Sequence, residues 1–118
     1  MATKDELGRR GEDLAVAYLE GVGLEILDRN WRCSLGEIDI VARDGDAIVI
    51  AEVKTRSSVA FGHPLEAITP VKLARLRRLA GEWRHLHPET VGGLRIDAVA
   101  VIAPRGEAPV IEHLAGIF

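Results

Sequence analysis

The order of polar and apolar residues predicts that the chain starts with a helix. Thr3 and Glu6 have the spacing of a capping box, in which each side chain accepts the backbone N–H of the other residue. Residues at helical spacing then form an inward stripe, until glycine ends the helix at residues 21–23. The stripe comprises Gly8, Glu12, Ala15, Leu19 and Val22. Glu12 is therefore either a satisfied residue at the edge of the core or part of a site.

Runs of β-branched and apolar residues predict five strands. The first strand, at residues 24–27, is expected to become irregular over 30–32. Two later runs, 38–42 and 47–53, flank Asp44-Gly45, and this dipeptide is typical of a β-hairpin turn. The remaining strands are predicted at 95–102 and 110–114.

A second helix is predicted between the third and fourth strands. Thr69 is placed to cap it, and Pro70 suits its first position. The helix should run to about His85 and stop before Pro88. The resulting order of helix, three strands, helix and two strands contains no linker and no repeat. It is typical of one α/β domain that spans residues 1–118.

Composition and charge narrow the class of protein. Hydrophobic residues make up 47% and charged residues 28% of the chain, as in an ordinary globular fold. Cys33 is the only cysteine, which excludes a disulfide scaffold and a multi-thiolate zinc site and fits a reducing cytoplasm. The apolar runs are far shorter than the roughly 20 residues that cross a bilayer, so no membrane partner is expected. The net charge is −3, but clustered basic residues can still form a positive surface for nucleic acid.

The predicted hairpin places three charged residues together. With Asp44-Gly45 as the turn, Asp39 is expected to face Ile50. Asp39, Glu52 and Lys54 should then project from one side of the sheet, because alternate residues share a face. Asp39 and Glu52 would be diagonal neighbours, with backbones about 7–8 Å apart, and could hold one cation between them.

These charges allow two interpretations. Lys54 can form a cross-strand salt bridge with Glu37 or Glu52, because paired charges are common on strands. Lys54 cannot neutralise three carboxylates, however, and Glu12 adds a fourth if the first helix packs nearby. A divalent cation would relieve the surplus negative charge, and all-oxygen ligands suit Mg²⁺ or Mn²⁺.

At these residues the sequence resembles the PD-(D/E)XK nucleases, in which a hairpin carries an aspartate followed by a Glu-x-Lys strand. Asp39 and Glu52-Val53-Lys54 match that pattern, although Ile38 stands where proline often precedes the aspartate. Nearly the whole chain resembles the YraN-like family of bacterial proteins. The arrangement is also similar to archaeal Holliday junction resolvases, which carry a glutamate on the preceding helix. The segments that carry the resemblance are Gly8-Arg9-Arg10-Gly11-Glu12, Asn30-Trp31-Arg32, Gly36-Glu37-Ile38-Asp39, Glu52-Val53-Lys54-Thr55-Arg56, the helix of Lys72 and Arg95-Ile96-Asp97.

The resemblance implies a fold and a set of roles. The fold would be restriction endonuclease-like, a three-layer α/β/α core with a central mixed β-sheet of about five strands. Asp39 and Glu52 would hold Mg²⁺ or Mn²⁺, with the Val53 carbonyl as a further ligand. Lys54 would position water or neutralise charge on the phosphate. Glu12 would complete the acidic site, and Glu37 would support the ligands from behind.

Three functions remain open at this point. The first, implied by the resemblance, is a metal-dependent endonuclease-like protein that hydrolyses DNA phosphodiester bonds, with branched or processed DNA as a candidate substrate. The second is a non-catalytic nucleic-acid-binding module with a retained nuclease fold. The third is an interaction protein whose charged cluster is only a salt-bridge network. A homodimer is one expected assembly. The residues expected to contact nucleic acid are Arg29, Arg32, Arg56 and, on one ridge of the second helix, Lys72, Arg75 and Arg78.

Four further residues carry weaker signals. Trp31 either grips a base or belongs to the core. His63 either contacts substrate or supports a loop. Asp97 matches a position of the resembling family, but it can also simply pair with an arginine. Cys33 is expected to be packed rather than catalytic.

Overall fold

A computed structural model describes residues 3–60 and 62–117 of the chain. Its elements are the helices α1 (Lys4–Gly21) and α2 (Pro70–Leu86), a short 3₁₀ helix (Pro64–Ala67), and the strands β1 (Glu25–Cys33), β2 (Gly36–Asp44), β3 (Ala47–Arg56), β4 (Gly93–Ile102) and β5 (Val110–Leu114). The predicted order of helices and strands is confirmed. The 3₁₀ helix is the one element of this order that the sequence pattern did not indicate.

The five strands form one mixed sheet in the order β1-β2-β3-β4-β5. Neighbouring strands are antiparallel except β3 and β4, which run parallel. A parallel pair needs a long crossover, and the segment that contains the 3₁₀ helix and α2 provides it. The expected mixed sheet of five strands is therefore confirmed.

Each face of the sheet packs against one helix. On the α1 side the core includes Ala15 and Leu19 of the helix, both fully buried. On the α2 side it includes Leu79 and Trp83. The result is a three-layer α/β/α core, as expected. Val22 was predicted to point inward but is 53% exposed, because it caps the end of α1 where the chain leaves the helix.

Local capping sets where both helices begin. Thr3 and Glu6 form the predicted capping box. Thr69 accepts the N–H of Lys72, and Pro70 occupies the first helical position. Since these bonds satisfy amide groups that have no partner within the helix, the sequence determines both starts locally.

The hairpin between β2 and β3 has a different register from the predicted one. Asp44 pairs with Ala47, so Gly45 and Asp46 form the turn instead of Asp44-Gly45. Gly45 has a φ of 57°, and a two-residue hairpin turn needs a positive φ at its first position. Glycine therefore takes that position, which moves every cross-strand partner by two residues.

The first strand is longer than predicted. β1 runs without interruption from Glu25 to Cys33, although its register with β2 shifts between Ile26 and Asp28. Asn30 lies inside the strand with a left-handed φ of 51°. The expected irregularity thus occurs within a paired strand, because asparagine tolerates this conformation better than most residues.

Candidate functional site

Asp39 lies where the ladder between β2 and β3 ends. The last residue pair of the ladder at this end is Ile40 with Ala51. One residue further, Asp39 Oδ2 accepts a hydrogen bond of 2.8 Å from the backbone N–H of Val53. Extending the register sets Asp39 opposite Glu52, so the predicted pairing of Asp39 with Ile50 is wrong. Directly opposite positions of a ladder lie nearer to each other than diagonal positions do.

The alternation of side chains along β2 breaks at Asp39. Ile38 packs in the α2-side core, whereas Ile40 packs in the α1-side core. Residues two apart on a regular strand share a face, so the strand changes orientation between them. On β3, Ala51 and Val53 pack in the α1-side core. The residues that alternate with them, Glu52 and Lys54, therefore project toward α2.

The expectation that Asp39, Glu52 and Lys54 share one face assumed a regular β2 strand, and the change of orientation between Ile38 and Ile40 removes that assumption. At the end of the ladder, the side-chain carboxylate of Asp39 provides the hydrogen-bond acceptor for the N–H of Val53 on β3. Glu52 and Lys54 form a salt bridge of 3.2 Å along the same strand. The three groups meet at the end of the ladder rather than on a common flat surface.

Two cavities converge on this place. The larger, called here the α1 cleft, has a volume of about 610 Å³. It is lined by Lys4, Leu7, Gly8, Glu12, Asp39, Val53, Lys54, Thr55, Arg56 and Ser57. The smaller, called here the α2 pocket, has a volume of about 150 Å³. It is lined by Gly36, Glu37, Glu52, Lys54, Ile68, Lys72, Arg75, Leu76 and Leu79. Lys54 lines both cavities and so marks where they meet.

Gly11 allows α1 to approach the end of β3. A Cβ atom at this position would overlap the side chain of Thr55, so only glycine permits this distance between helix and strand. Glu12, the next residue, is thereby brought into the α1 cleft together with Asp39. The helix glutamate and the hairpin aspartate, predicted to lie together, do line one cavity.

Burial and like charges raise the pKa of Asp39 to about 7. Burial is the larger cause and the negative charge of Glu52 is the next, while the N–H of Val53 opposes them. Glu12 and Glu37 add smaller contributions in the same direction. Asp39 is thus a carboxylate in a region with a surplus of negative charge, as the sequence suggested.

Glu12 shares this environment. Burial raises its pKa, and the charge of Arg29 partly opposes the effect. The Asn30 amide is oriented with its nitrogen toward the carboxylates, because its oxygen there would face only acceptors. Its Nδ2 then lies 2.7 Å from Glu12 Oε1 and 3.2 Å from Glu37 Oε1. The left-handed Asn30 therefore bridges two carboxylates that would otherwise repel each other.

The site has oxygen ligands of the kind that Mg²⁺ and Mn²⁺ bind. Asp39, Glu52 and the carbonyl of Val53 provide oxygen donors only, and the surplus negative charge favours a divalent cation. Within residues 3–60 and 62–117, no three His, Cys, Asp or Glu side chains are grouped closely enough to hold a metal ion. Because Mg²⁺ commonly uses one or two carboxylates and keeps several waters, this smaller donor set still fits it.

The predicted nucleic-acid contacts occupy different surroundings. Arg29 and Arg32 form salt bridges of 2.8 Å, with Asp13 and Glu37 respectively. Arg56 is exposed and lines the α1 cleft. The three basic residues predicted to form a ridge on α2 are all exposed. Of these, Lys72 and Arg75 line the α2 pocket, whereas Arg78 does not.

The weaker candidates turn out to be structural. Asp97 is paired with an arginine, Arg95, through two hydrogen bonds of 2.8 and 3.0 Å. His63 accepts the N–H of Leu65 and bonds Glu112, so it organises the loop that leads into the 3₁₀ helix. Trp31 and Cys33 are partly buried and pack against the α2-side core.

Two features of the site escaped the sequence analysis. Asn30 was noted only as part of a motif, although an asparagine inside a strand could have indicated a left-handed residue. Lys4 lines the α1 cleft, and nothing in the local pattern pointed to it. No helix within the described part of the chain is long and apolar enough to span a membrane.

Related proteins align with nearly the whole chain. A protein of Arthrobacter sp. (strain FB24) is 58% identical over 117 residues, with 99% of each chain covered. Proteins of Beutenbergia cavernae and of Streptomyces griseus subsp. griseus are 55% and 56% identical, again with 99% of each chain covered. All three carry the name UPF0102 protein.

The match to a defined family covers residues 11–101, a range that includes the α1 glutamate and the whole hairpin. Glu12, Asp39, Glu52 and Lys54 all lie within it. The family resemblance seen in the sequence is supported at this level, while the relation to nucleases stays a prediction. This chain belongs to the uncharacterised protein family UPF0102.

Proposed function

We propose that this protein is a metal-dependent phosphodiesterase of the PD-(D/E)XK type that cleaves DNA. The observation that carries the proposal is the meeting of Asp39, Glu52 and Lys54 at the end of the β2–β3 ladder, open to two cavities. Asp39 is kept there despite the unfavourable proximity of other carboxylates. Such an arrangement costs stability without a cation and is common where a site has to bind one.

Each residue of the site has its own role in the proposed reaction. Asp39, Glu52 and the Val53 carbonyl hold Mg²⁺ or Mn²⁺, which when bound polarises the phosphate and lowers the pKa of a bound water. Lys54 presents its ammonium group to both cavities and neutralises negative charge on the phosphate oxygens. Glu12 faces the same cleft and completes the acidic site from α1.

DNA is the proposed partner because basic residues surround the acidic centre. Lys4 and Arg56 line the α1 cleft, and Lys72 and Arg75 line the α2 pocket. A protein with a net charge of −3 can bind a polyanion only where such groups are concentrated. We further propose a cytoplasmic location, which the free thiol of Cys33 fits. The homodimer expected from the sequence stays a prediction.

A second function is a DNA-binding module without catalysis. The observation that favours it is the salt bridge between Lys54 and Glu52, which partly neutralises the site without a metal. In that case the exposed lysine and arginines of α2 would bind phosphates, and the acidic centre would only shape the cleft.

Single-turnover cleavage separates the two functions. The wild-type protein, in excess, is incubated with end-labelled duplex, flap, single-strand and four-way-junction DNA, in Mg²⁺, Mn²⁺ or EDTA. We expect metal-dependent cleavage of at least one substrate by the wild type and by Asp46→Asn, whose exposed carboxylate lies at the far end of the same hairpin. Asp39→Asn should not cleave. DNA binding without cleavage in either metal would favour the binding module instead.

A further inference from the structure

The α2 pocket combines apolar walls with a charged mouth. Leu76 and Leu79 are buried at 5% and 1% exposure, so they form its inner wall. Lys72 and Arg75 are exposed and therefore stand at its opening. A pocket with this composition suits a ligand that is flat and apolar at one end and anionic at the other.

The size of the pocket limits the flat part of the ligand. Its volume is about 150 Å³. A protein cavity of about 150 Å³ lined by apolar side chains accommodates one benzene ring. A pyrimidine base is a single six-membered ring and fits this volume, whereas a purine has two fused rings. Glu37 and Glu52 line the same pocket, and a carboxylate can accept a hydrogen bond from the exocyclic amino group of cytosine.

The basic residues predicted to form a ridge on α2 differ in their relation to the pocket. Lys72 and Arg75 line the pocket, but Arg78, three positions further along the same helix, does not. Lys72 and Arg75 therefore place two positive charges at the opening of the pocket. Their position suits the phosphate of the nucleotide whose base enters the pocket.

The pocket also adjoins the proposed catalytic centre. Glu52 and Lys54 line it, and Lys54 lines the α1 cleft as well. A base within an intact duplex cannot enter a pocket of this kind, since it has to leave the base stack first. We infer, on the basis of the proposed function, that the α2 pocket binds one unpaired pyrimidine base of the DNA while Lys72 and Arg75 hold its phosphate.

Binding without metal tests this inference independently of cleavage. Fluorescence anisotropy in EDTA compares three labelled DNAs: a paired duplex, the same duplex with one bulged cytosine, and the same duplex with one bulged adenine. We expect the bulged cytosine to bind roughly tenfold more tightly than the other two, which is the lower end of the discrimination that a hydrophobic pocket achieves by fit. Equal affinity for all three DNAs would overturn the inference.

Variants assign the preference to the pocket. Lys72→Ala with Arg75→Ala removes the charge at the opening, and Ile68→Phe fills the pocket without changing charge; each should abolish the preference for bulged cytosine. Arg78→Ala is the matched control and should weaken binding to the three DNAs equally while keeping the preference. Thermal unfolding verifies that each variant is folded. A preference that survives both pocket variants would contradict the inference.

The two proposals can fail separately. A wild-type protein that prefers bulged cytosine but cleaves nothing would overturn the proposed cleavage and support the pocket. A protein that cleaves DNA in Mg²⁺, yet binds the three DNAs equally, would overturn the pocket and support the cleavage.

Discussion

Asp39 and Asp97 are both aspartates on central strands of the sheet, yet they have opposite surroundings. Asp97 is fully buried and accepts hydrogen bonds from Arg95, from His113 at 2.7 Å and from the N–H of Gly116 at 2.9 Å. Burial raises its pKa, but these donors, Arg95 first, outweigh burial and hold the pKa below its usual value. Asp39 is less buried, accepts one backbone hydrogen bond and is surrounded by carboxylates.

The difference teaches that burial alone does not identify a functional carboxylate. Asp97 fixes β4 to the end of the chain, and Arg95 extends the network to Asp44 on β2 through a bond of 2.8 Å. Every hydrogen bond that Asp97 accepts holds parts of the fold together. Among residues 3–60 and 62–117, the one hydrogen bond that Asp39 accepts comes from the N–H of Val53, and Asp39 opens onto a cleft. A carboxylate that receives few hydrogen bonds from the protein is the better candidate for binding a cation.

The largest expected effect concerns cleavage. Asp39→Asn removes a metal ligand at nearly constant size, and Lys54→Ala removes the positively charged ammonium group of the site. If the proposed function is right, Asp39→Asn should lower the single-turnover rate by several orders of magnitude, since metal activation contributes several kcal/mol to the transition state. Lys54→Ala should lower it by roughly 100- to 1,000-fold, the usual effect of removing one group that stabilises developing negative charge. Asp46→Asn, measured in parallel, should cleave at the wild-type rate. Cleavage by Asp39→Asn at the wild-type rate would remove the distinction between the two aspartates.

The next effect concerns stability. Asp97→Asn removes one of the two carboxylates that pair with Arg95 and leaves only Asp44, and losing charged hydrogen bonds at a fully buried position costs up to about 3 kcal/mol. Urea unfolding at pH 7.5 should show this loss, whereas Asp39→Asn should be as stable as the wild type or more stable. A similar loss in both variants would mean that Asp39 is also a structural residue.

The caps and the order of elements could be predicted because local residues determine them. Thr3 with Glu6, and Thr69 with Pro70, act within one helical turn. The alternation of β-branched residues likewise marks each strand without knowledge of its partners. The hairpin pattern itself pointed to Asp39, Glu52 and Lys54, and the family resemblance added the mixed sheet.

The details that decide the chemistry could not be predicted in this way. A shift of one position in the turn, caused by the positive φ of Gly45, changed the partner of Asp39. The bridge of Asn30 to Glu12 joins residues that are distant in sequence and depends on the packing of α1. That Arg75 lines the α2 pocket while Arg78 does not depends equally on how α2 packs against the sheet.

The two aspartates should also differ in how stability depends on pH. The pKa of Asp39 is raised to about 7 in the folded protein, above the roughly 3.9 of an unfolded aspartate. Between these values the unfolded chain releases a proton that the folded protein keeps, so Asp39 destabilises the fold increasingly as pH rises and fully above about 7.

Urea unfolding of wild type and Asp39→Asn between pH 5 and 8.5, without divalent metal, tests this dependence. The variant should gain stability relative to the wild type as pH rises, on the order of 2 kcal/mol, and the gain should level off above pH 7. Asp97 has the opposite sign, since its stabilising effect is lost when pH falls through its lowered pKa. If the difference in free energy of unfolding between wild type and Asp39→Asn does not change with pH, Asp39 is not short of hydrogen-bond donors in the folded protein.

The smallest expected effect is on DNA binding without metal. Asp39→Asn removes a negative charge that repels phosphate, so binding in EDTA should tighten by about threefold, the scale of one partly screened charge pair. Lys54→Ala removes a positive charge at the meeting point of the two cavities and should weaken binding by a similar factor. Asp97→Asn, if folded, should bind as the wild type does, because its carboxylate is shielded from solvent. Opposite shifts for the two site residues, together with a shared loss of cleavage, are what an active site requires. Equal weakening in Asp39→Asn and Lys54→Ala would instead indicate that both residues only support the fold.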